Sequence, residues 1–165
     1  MAEKFFWTFT DDYLELVKER AYNEEHPEQA SAAAALNKAL TVFLRLLAPV
    51  LPFATEEAWS WFHDDSIHRA SWPAPGDEKI GNPDILKAAS EALIGIRRAK
   101  TDAKASQKTE VLTATIAAPE ATISLLEAAQ GDLMATGRIA ELNFTEATEL
   151  SVTNIELAPV PEVTE

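Results

Sequence analysis

The sequence predicts a mainly α protein, a helical bundle followed by a small α/β subdomain, and three observations carry that reading. Apolar residues recur every three or four positions from Phe6 to Ala105, the period of a helix that buries one face. Beyond Thr109 the pattern changes to β-branched runs such as Val111–Ile116, which suit strands. Between the two regimes lies Gly76–Pro83, where Gly, Asp, Asn and Pro together mark a linker.

The elements follow in order. Lys4–Glu24 is predicted as the first helix, with Phe6, Phe9, Tyr13, Leu16 and Val17 on one face. Trp7, Leu14 and Ala21 add an adjoining apolar strip, and a helix apolar on two sides belongs inside a bundle. After a turn over Asn23–Pro27, a second helix runs from Pro27 until Pro49 stops it, alanine-rich at first and then carrying Leu36, Leu40, Phe43, Leu44 and Leu47. A short third helix starts at Pro52 with Glu56 and Glu57 near its positive end. It holds Trp59, Trp61 and Phe62 and fades by His63–Asp65. Ser66–Pro75 is expected as an ordered, extended loop, and a domain boundary is placed near Lys79.

A fourth helix is predicted over Asp84–Ala105 with Leu86, Ala89, Leu93 and Ile94 inward. A strand over Val111–Ile116 leads to a helix over Pro119–Gln130, ended by Gly131, with Ile123, Leu126 and Ala129 inward. Ile139–Phe144 and Leu150–Leu157 are two further strands. The proline-rich acidic tail, Ala158–Glu165, is expected to be disordered. The domains are therefore 1–78, a helical bundle; 79–157, a long basic helix with a small α/β subdomain; and 158–165, the tail.

Composition narrows the function. The 47% apolar and 25% charged residues of the 165 are those of a globular chain. No cysteine is present, which excludes disulfides, thiolate metal sites and a Cys nucleophile. No apolar run approaches the ~20 residues of a membrane helix, and Met1–Phe5 lacks the features of a signal peptide. No membrane partner and a cytoplasmic location are the resulting expectations. The formal net charge of -13 argues against a nucleic-acid partner unless the cations are concentrated locally.

They are concentrated. Arg97, Arg98, Lys100, Lys104 and Lys108 make five of the 14 basic residues. Arg97, Lys100, Lys104 and Lys108 recur at three or four positions, so on a continuous helix they form a stripe able to follow a phosphate backbone. The plainer reading of such a stripe is a solvated helix face with cations near the helix's negative end. His26, His63 and His68 lack metal-pair spacing, and adjacent acids such as Glu56–Glu57 or Asp11–Asp12 point to different sides of a helix. No phosphate-cradling glycine loop occurs. No catalytic residue and no metal site are expected.

Four stretches carry a resemblance beyond composition. Phe5-Phe6-Trp7 with Asp12-Tyr13-Leu14-Glu15-Leu16-Val17-Lys18-Glu19-Arg20-Ala21-Tyr22 resembles a helix of the anticodon-binding bundle of valyl-tRNA synthetases. Leu46–Trp59 matches the LLAPxxPFxTEExW pattern of that family, and Ser66–Pro73 its SIHxAxWP segment. Ile96–Val111 is similar to the basic helix exit that leads into the family's last subdomain. The LAPxxPFxTEExW stretch is shared with isoleucyl and leucyl relatives, while SIHxAxWP and DDYLELVKERAY favour the valyl group.

The resemblance implies a bundle that docks beside the anticodon stem-loop of valine tRNA, attached to the remainder of a synthetase. ATP, magnesium and valine activation would belong to an upstream catalytic domain, since neither HIGH nor KMSKS occurs. It also implies a helix before Phe5 and a coiled-coil tail beyond this sequence, which leaves an apolar face of the first helix unpaired and open to self-association. Arg97, Arg98, Lys100, Lys104 and Lys108 are the implied tRNA-backbone contacts. Trp7, Asp12, Tyr13, Trp59 and Trp72 are assigned to the architecture, facing inward. The alternatives are the corresponding isoleucyl domain and a helical protein-interaction module with acidic faces.

Overall fold

The computed structural model describes residues 6–74, 76 and 81–159, so the predicted boundary near Lys79 and all but the first two residues of the predicted tail lie outside the described residues. The described residues contain six α-helices and one three-stranded sheet. They divide into two compact units, one of residues 6–22 with 81–159, the other of residues 23–74 with 76.

The first unit is built on its sheet. Strand β1 (Val111–Ala118) lies between β2 (Ile139–Glu146), which runs parallel to it, and β3 (Ser151–Leu157), which runs antiparallel. Alternation separates the two faces. Ala114, Ile116 and Ala118 are buried, with Leu142 and Phe144 beside them on β2. Thr113 and Thr115 on the other face pair with Glu141 and Asn143. A bulge in β3 between Thr153 and Glu156 contains Asn154, whose φ of 49° is a conformation that Asn tolerates better than most side chains.

The helices of this unit supply the other half of its core. Helix α4 (Pro83–Asp102) begins with Pro83 in its first turn, and the Asn82 side chain accepts from the backbone N–H of Asp84 at 3.0 Å. Its face of Ala88, Ala89, Ala92, Leu93 and Ile96 meets β3 and the two helices of the β1–β2 crossover, α5 (Glu120–Glu127) and α6 (Gln130–Gly137). Small side chains at three of these positions let the backbones approach closely. Gly95 carries this furthest, because a Cβ there would stand 2.5 Å from Cγ2 of Val152 on β3.

Several expectations change here. Ile94 was placed inward but is 58% exposed, since it lies a residue beyond Leu93 on the helical wheel. The single helix predicted over Pro119–Gln130 is two, and Gly131 lies inside α6 rather than ending a helix. The first helix also finds an unexpected partner. Residues 6–22 are helical, with a π-helical turn over Thr8–Tyr13 leading into α1 (Leu14–Tyr22). The Thr10 hydroxyl donates to the carbonyls of Phe6 and Trp7, a side-chain competition of the kind that distorts helices.

Helix α1 packs on α6. Arg20 meets the Asp132 carboxylate through Nε at 2.8 Å and Nη2 at 2.9 Å, and the Thr136 hydroxyl donates to the Glu15 carbonyl. Leu16 and Val17 are buried. The helix assigned by sequence to residues 1–78 thus groups with the later residues, because an apolar stripe shows that a helix needs a partner without showing which. Trp7, also placed inward, is 53% exposed.

The second unit holds α2 (Gln29–Leu47), α3 (Pro52–Ser60) and a 3-10 turn over Ile67–Arg69. Its buried centre is small: Ala48, Trp59 and Ile67, with Leu44 and Ala70 against them. The segment expected as an ordered, extended loop contains that 3-10 turn and is tied to α3. The Glu56 carboxylate accepts from the Ser66 hydroxyl and the Ile67 N–H, both at 3.0 Å, and Trp59 donates from its indole nitrogen to Asp65 at 3.1 Å. Trp61 and Phe62 follow α3 rather than belonging to it and are exposed. Trp72, placed inward, is 62% exposed. By length and hydropathy α2, at 19 residues, could cross a membrane, contrary to the expectation that no run approaches that size; apolar helices of soluble proteins pass the same test.

Replacing Gly95 by alanine tests the close contact of α4 with β3. A glycine-to-alanine change inside a helix ordinarily stabilises by about 1 kcal/mol. Overpacking against Val152 is expected to reverse the sign, at about 1–3 kcal/mol. Chemical denaturation of Gly95→Ala should show a net loss, and adding Val152→Ala should recover part of it. An unconditional gain would show that the two elements are not in contact.

Candidate nucleic-acid interface

The basic residues singled out by sequence all lie at the exit of α4, but the stripe is not continuous. The helix stops at Asp102 in a Schellman arrangement: Ala105 N–H donates to the Lys100 carbonyl and Lys104 N–H to that of Thr101, both at 2.9 Å. Lys104 takes the left-handed conformation of this cap, with φ 53°, where glycine is the usual residue. Lys104 and Lys108 therefore stand on a loop that folds back over the last turn. Gln107 fastens the loop by donating from Nε2 to the Arg97 carbonyl at 3.1 Å and to the Thr101 hydroxyl at 3.2 Å.

Lys100 has a different position from the rest. It is 1% exposed, and its ammonium donates to the carbonyls of Gly137 at 2.8 Å and Gln107 at 3.2 Å. This corrects its place among the candidate RNA contacts. The signal was present in the sequence, because Lys100 continues the row Ala89, Leu93, Ile96 at helical spacing, and that row faces the core. Burial lowers the pKa of Lys100 below the ordinary lysine value of 10.5, and the neighbouring Arg138 cation lowers it further.

The remaining cations face solvent. Arg98 is exposed and 3.8 Å from Asp102, an ion pair too well solvated to neutralise it firmly. Arg97 is half-buried, and Lys104 and Lys108 are exposed, with no ion pair to any of the three among the described residues. The loop also meets a residue that sequence spacing did not flag. Arg138, at the turn from α6 into β2, donates from Nη1 to the Lys108 carbonyl at 3.3 Å, and its own carbonyl accepts from Val111 N–H at 2.8 Å. A separation of 30 positions hides this neighbour from any reading of local pattern.

Hollows elsewhere do not compete chemically. One of about 470 Å³ in the second unit is bordered by Lys38, Thr41 and Arg45, but Arg45 is engaged with the carbonyls of Thr41 and Ser71. Among the described residues no three His, Asp or Glu side chains gather as a metal site would need.

Comparison with known proteins gives one family and a consistent set of relatives. A family described as the anticodon-binding domain of tRNA ligase matches residues 2–116, from the first helix through α4 and most of β1. The valine–tRNA ligase of Leifsonia xyli subsp. xyli is 53% identical over 164 residues, covering 98% of this chain and 19% of that protein. The valine–tRNA ligase of Cutibacterium acnes is 43% identical over 98% of the chain and 19% of its own length. That of Thermobifida fusca is 48% identical over 96% and 18%. The chain spans about a fifth of the length of the curated relatives it matches.

Two outcomes distinguish a buried Lys100 from a surface one. Lys100→Glu should lose about 3–5 kcal/mol of stability, because it puts an uncompensated charge against two carbonyls. The pH dependence has a definite sign. The folded state disfavours the charged form, so the penalty is fully present below the lowered pKa and disappears as pH rises toward 10.5. Relative to Lys100→Met, the wild-type chain should gain stability with rising pH in that window. A pH-independent difference in urea denaturation would place the ammonium in solvent.

Proposed function

The chain belongs to the anticodon-binding domain family of tRNA ligases, and on that premise we propose that it is the part of a valine–tRNA ligase that binds the anticodon stem and loop of valine tRNA. The observation that carries this is the basic corner: Arg97, Arg98, Lys104 and Lys108 gathered at one helix exit of a chain whose net charge is -13. Phosphate affinity comes from local cations releasing counterions, so one such corner can bind RNA while the acidic remainder repels it elsewhere. The names of the relatives support valine over isoleucine as the amino acid of the parent enzyme.

The rest of the reading follows from the short span of the match. Valine activation with ATP and magnesium falls to a catalytic part outside this chain, with the cytoplasm as the compartment of translation. The helices of residues 6–74 belong to an anticodon-binding bundle in that larger protein, with α1 also carrying the α/β piece through its packing on α6. Phe53, at 89% exposure, with Val50, Trp61 and Phe62 also exposed, gives the second unit apolar surface beyond what its own small centre uses. That surface suits contact with the remainder of the synthetase.

Titration of the chain against unmodified valine tRNA and isoleucine tRNA at several salt concentrations tests the reading. Binding should favour valine tRNA and weaken with salt. Replacing Arg97 and Lys104 together by alanine should lower the log–log salt slope by about 0.7–0.9 per lost phosphate contact. Salt-independent binding, or a slope unchanged in the double variant, would remove the basic corner from the function.

A further inference from the structure

We propose that the α/β piece is itself part of the RNA-binding surface, with Arg138 and Lys108 forming a two-segment site for the phosphate backbone of the tRNA. This rests on the tRNA-binding reading and extends it to a residue outside the span of the family match. The two cations come from different elements and are held in register by the backbone. Arg138 Nη1 reaches the Lys108 carbonyl, Val111 N–H binds the Arg138 carbonyl, and Lys100 beneath joins the carbonyls of Gln107 and Gly137.

Two features point to an anion. First, Lys104, Lys108 and Arg138 are exposed and have no ion pair among the described residues, although acids outnumber cations 27 to 14 in the chain. Like charges placed together without counter-charge repel, and a phosphate between them relieves that repulsion. Glu110 lines a hollow of about 340 Å³ together with Arg138 and Met134 and forms no ion pair with the guanidinium.

Second, Arg138 has φ 53°, as does Lys104. Each occupies a helix-terminal position where a side chain costs about 1–2 kcal/mol relative to an unstrained conformation and where glycine carries no such penalty. Favourable interaction with the helix's negative end offsets part of this. That offset accounts for a cation at either helix end, but not for Arg138 reaching across to the loop that bears Lys108. An exposed guanidinium anchored on the backbone carbonyl of a second exposed cationic residue is suited to a phosphate oxygen pair.

The left-handed backbone makes Arg138→Gly a clean probe, because glycine keeps the fold while removing the cation. Wild-type chain, Arg138→Gly and Glu110→Gln are titrated with unmodified valine tRNA across a salt series, with thermal melting in parallel. Arg138→Gly should melt no lower than wild type, lose about fivefold in affinity at low salt and lower the salt slope by about one contact. Glu110→Gln should bind more tightly by removing the adjacent negative charge. Salt-dependent binding that falls in the Arg97 and Lys104 double variant, yet is unchanged in both of these, would overturn the two-segment site and leave the tRNA-binding reading intact. Absence of salt-dependent binding by the wild-type chain would overturn both.

Discussion

The ammonium of Lys100, held between the carbonyls of Gly137 and Gln107, is the constraint on which the geometry of the first unit turns. It sits in the last turns of α4 and reaches both the loop that follows the helix and the end of α6. A buried cation without a carboxylate partner is costly, and hydrogen bonds to peptide carbonyls recover only part of its lost hydration. What the arrangement achieves is position. Neither the loop carrying Lys104 and Lys108 nor the α6 terminus can swing away from α4 without stripping that ammonium of an acceptor. A glycine cap followed by a free loop would leave the same cations without a fixed relation to one another.

The two units are stabilised by different means. The sheet unit has a continuous core in which alanines on α4 and β1 allow close approach, with Leu126 and Leu133 filling the space beneath the crossover. The second unit relies on a few polar fasteners around Trp59: Glu56 bonded to the Ser66–Ile67 segment, and Asp65 to the indole nitrogen. All of these but Asp65 belong to the PFxTEExW and SIH stretches, so that pattern encodes a structural tie between α3 and the segment after it. A unit of this kind, with much apolar surface outside its own small centre, depends on neighbours for part of its stability.

Most elements were legible in the sequence because their signals are local. Proline at the start of α3, proline just after α2 and the β-branched run of β1 each report on nearby backbone. The failures are of two physical kinds. Some were boundary errors with large consequences: continuing α4 past Asp102 put Lys104 and Lys108 on a helical stripe that the cap interrupts, and reading Gly131 as a stop hid α6. Others concern contacts between distant residues. Arg20 with Asp132, Lys100 with Gly137 and Arg138 with Lys108 join positions that no periodicity relates. Lys100 is the instructive case, since its spacing from Leu93 and Ile96 indicated burial while its charge suggested exposure, and spacing was the better guide.

An acidic chain that binds RNA at one corner gains discrimination from the charge that surrounds that corner. At physiological ionic strength fields decay over about 8 Å, so a phosphate at the α4 exit senses Arg97, Arg98, Lys104 and Lys108 strongly and the distant carboxylates weakly. The remainder of the chain carries an excess of acids, which on average repels an RNA strand. On the proposed reading, the acidic composition would act against nonspecific adsorption, with affinity confined to cations whose spacing the fold sets. On the proposed tRNA-binding reading, the buried lysine would contribute to recognition without touching RNA, because it fixes the loop and turn from which the solvent-facing cations extend.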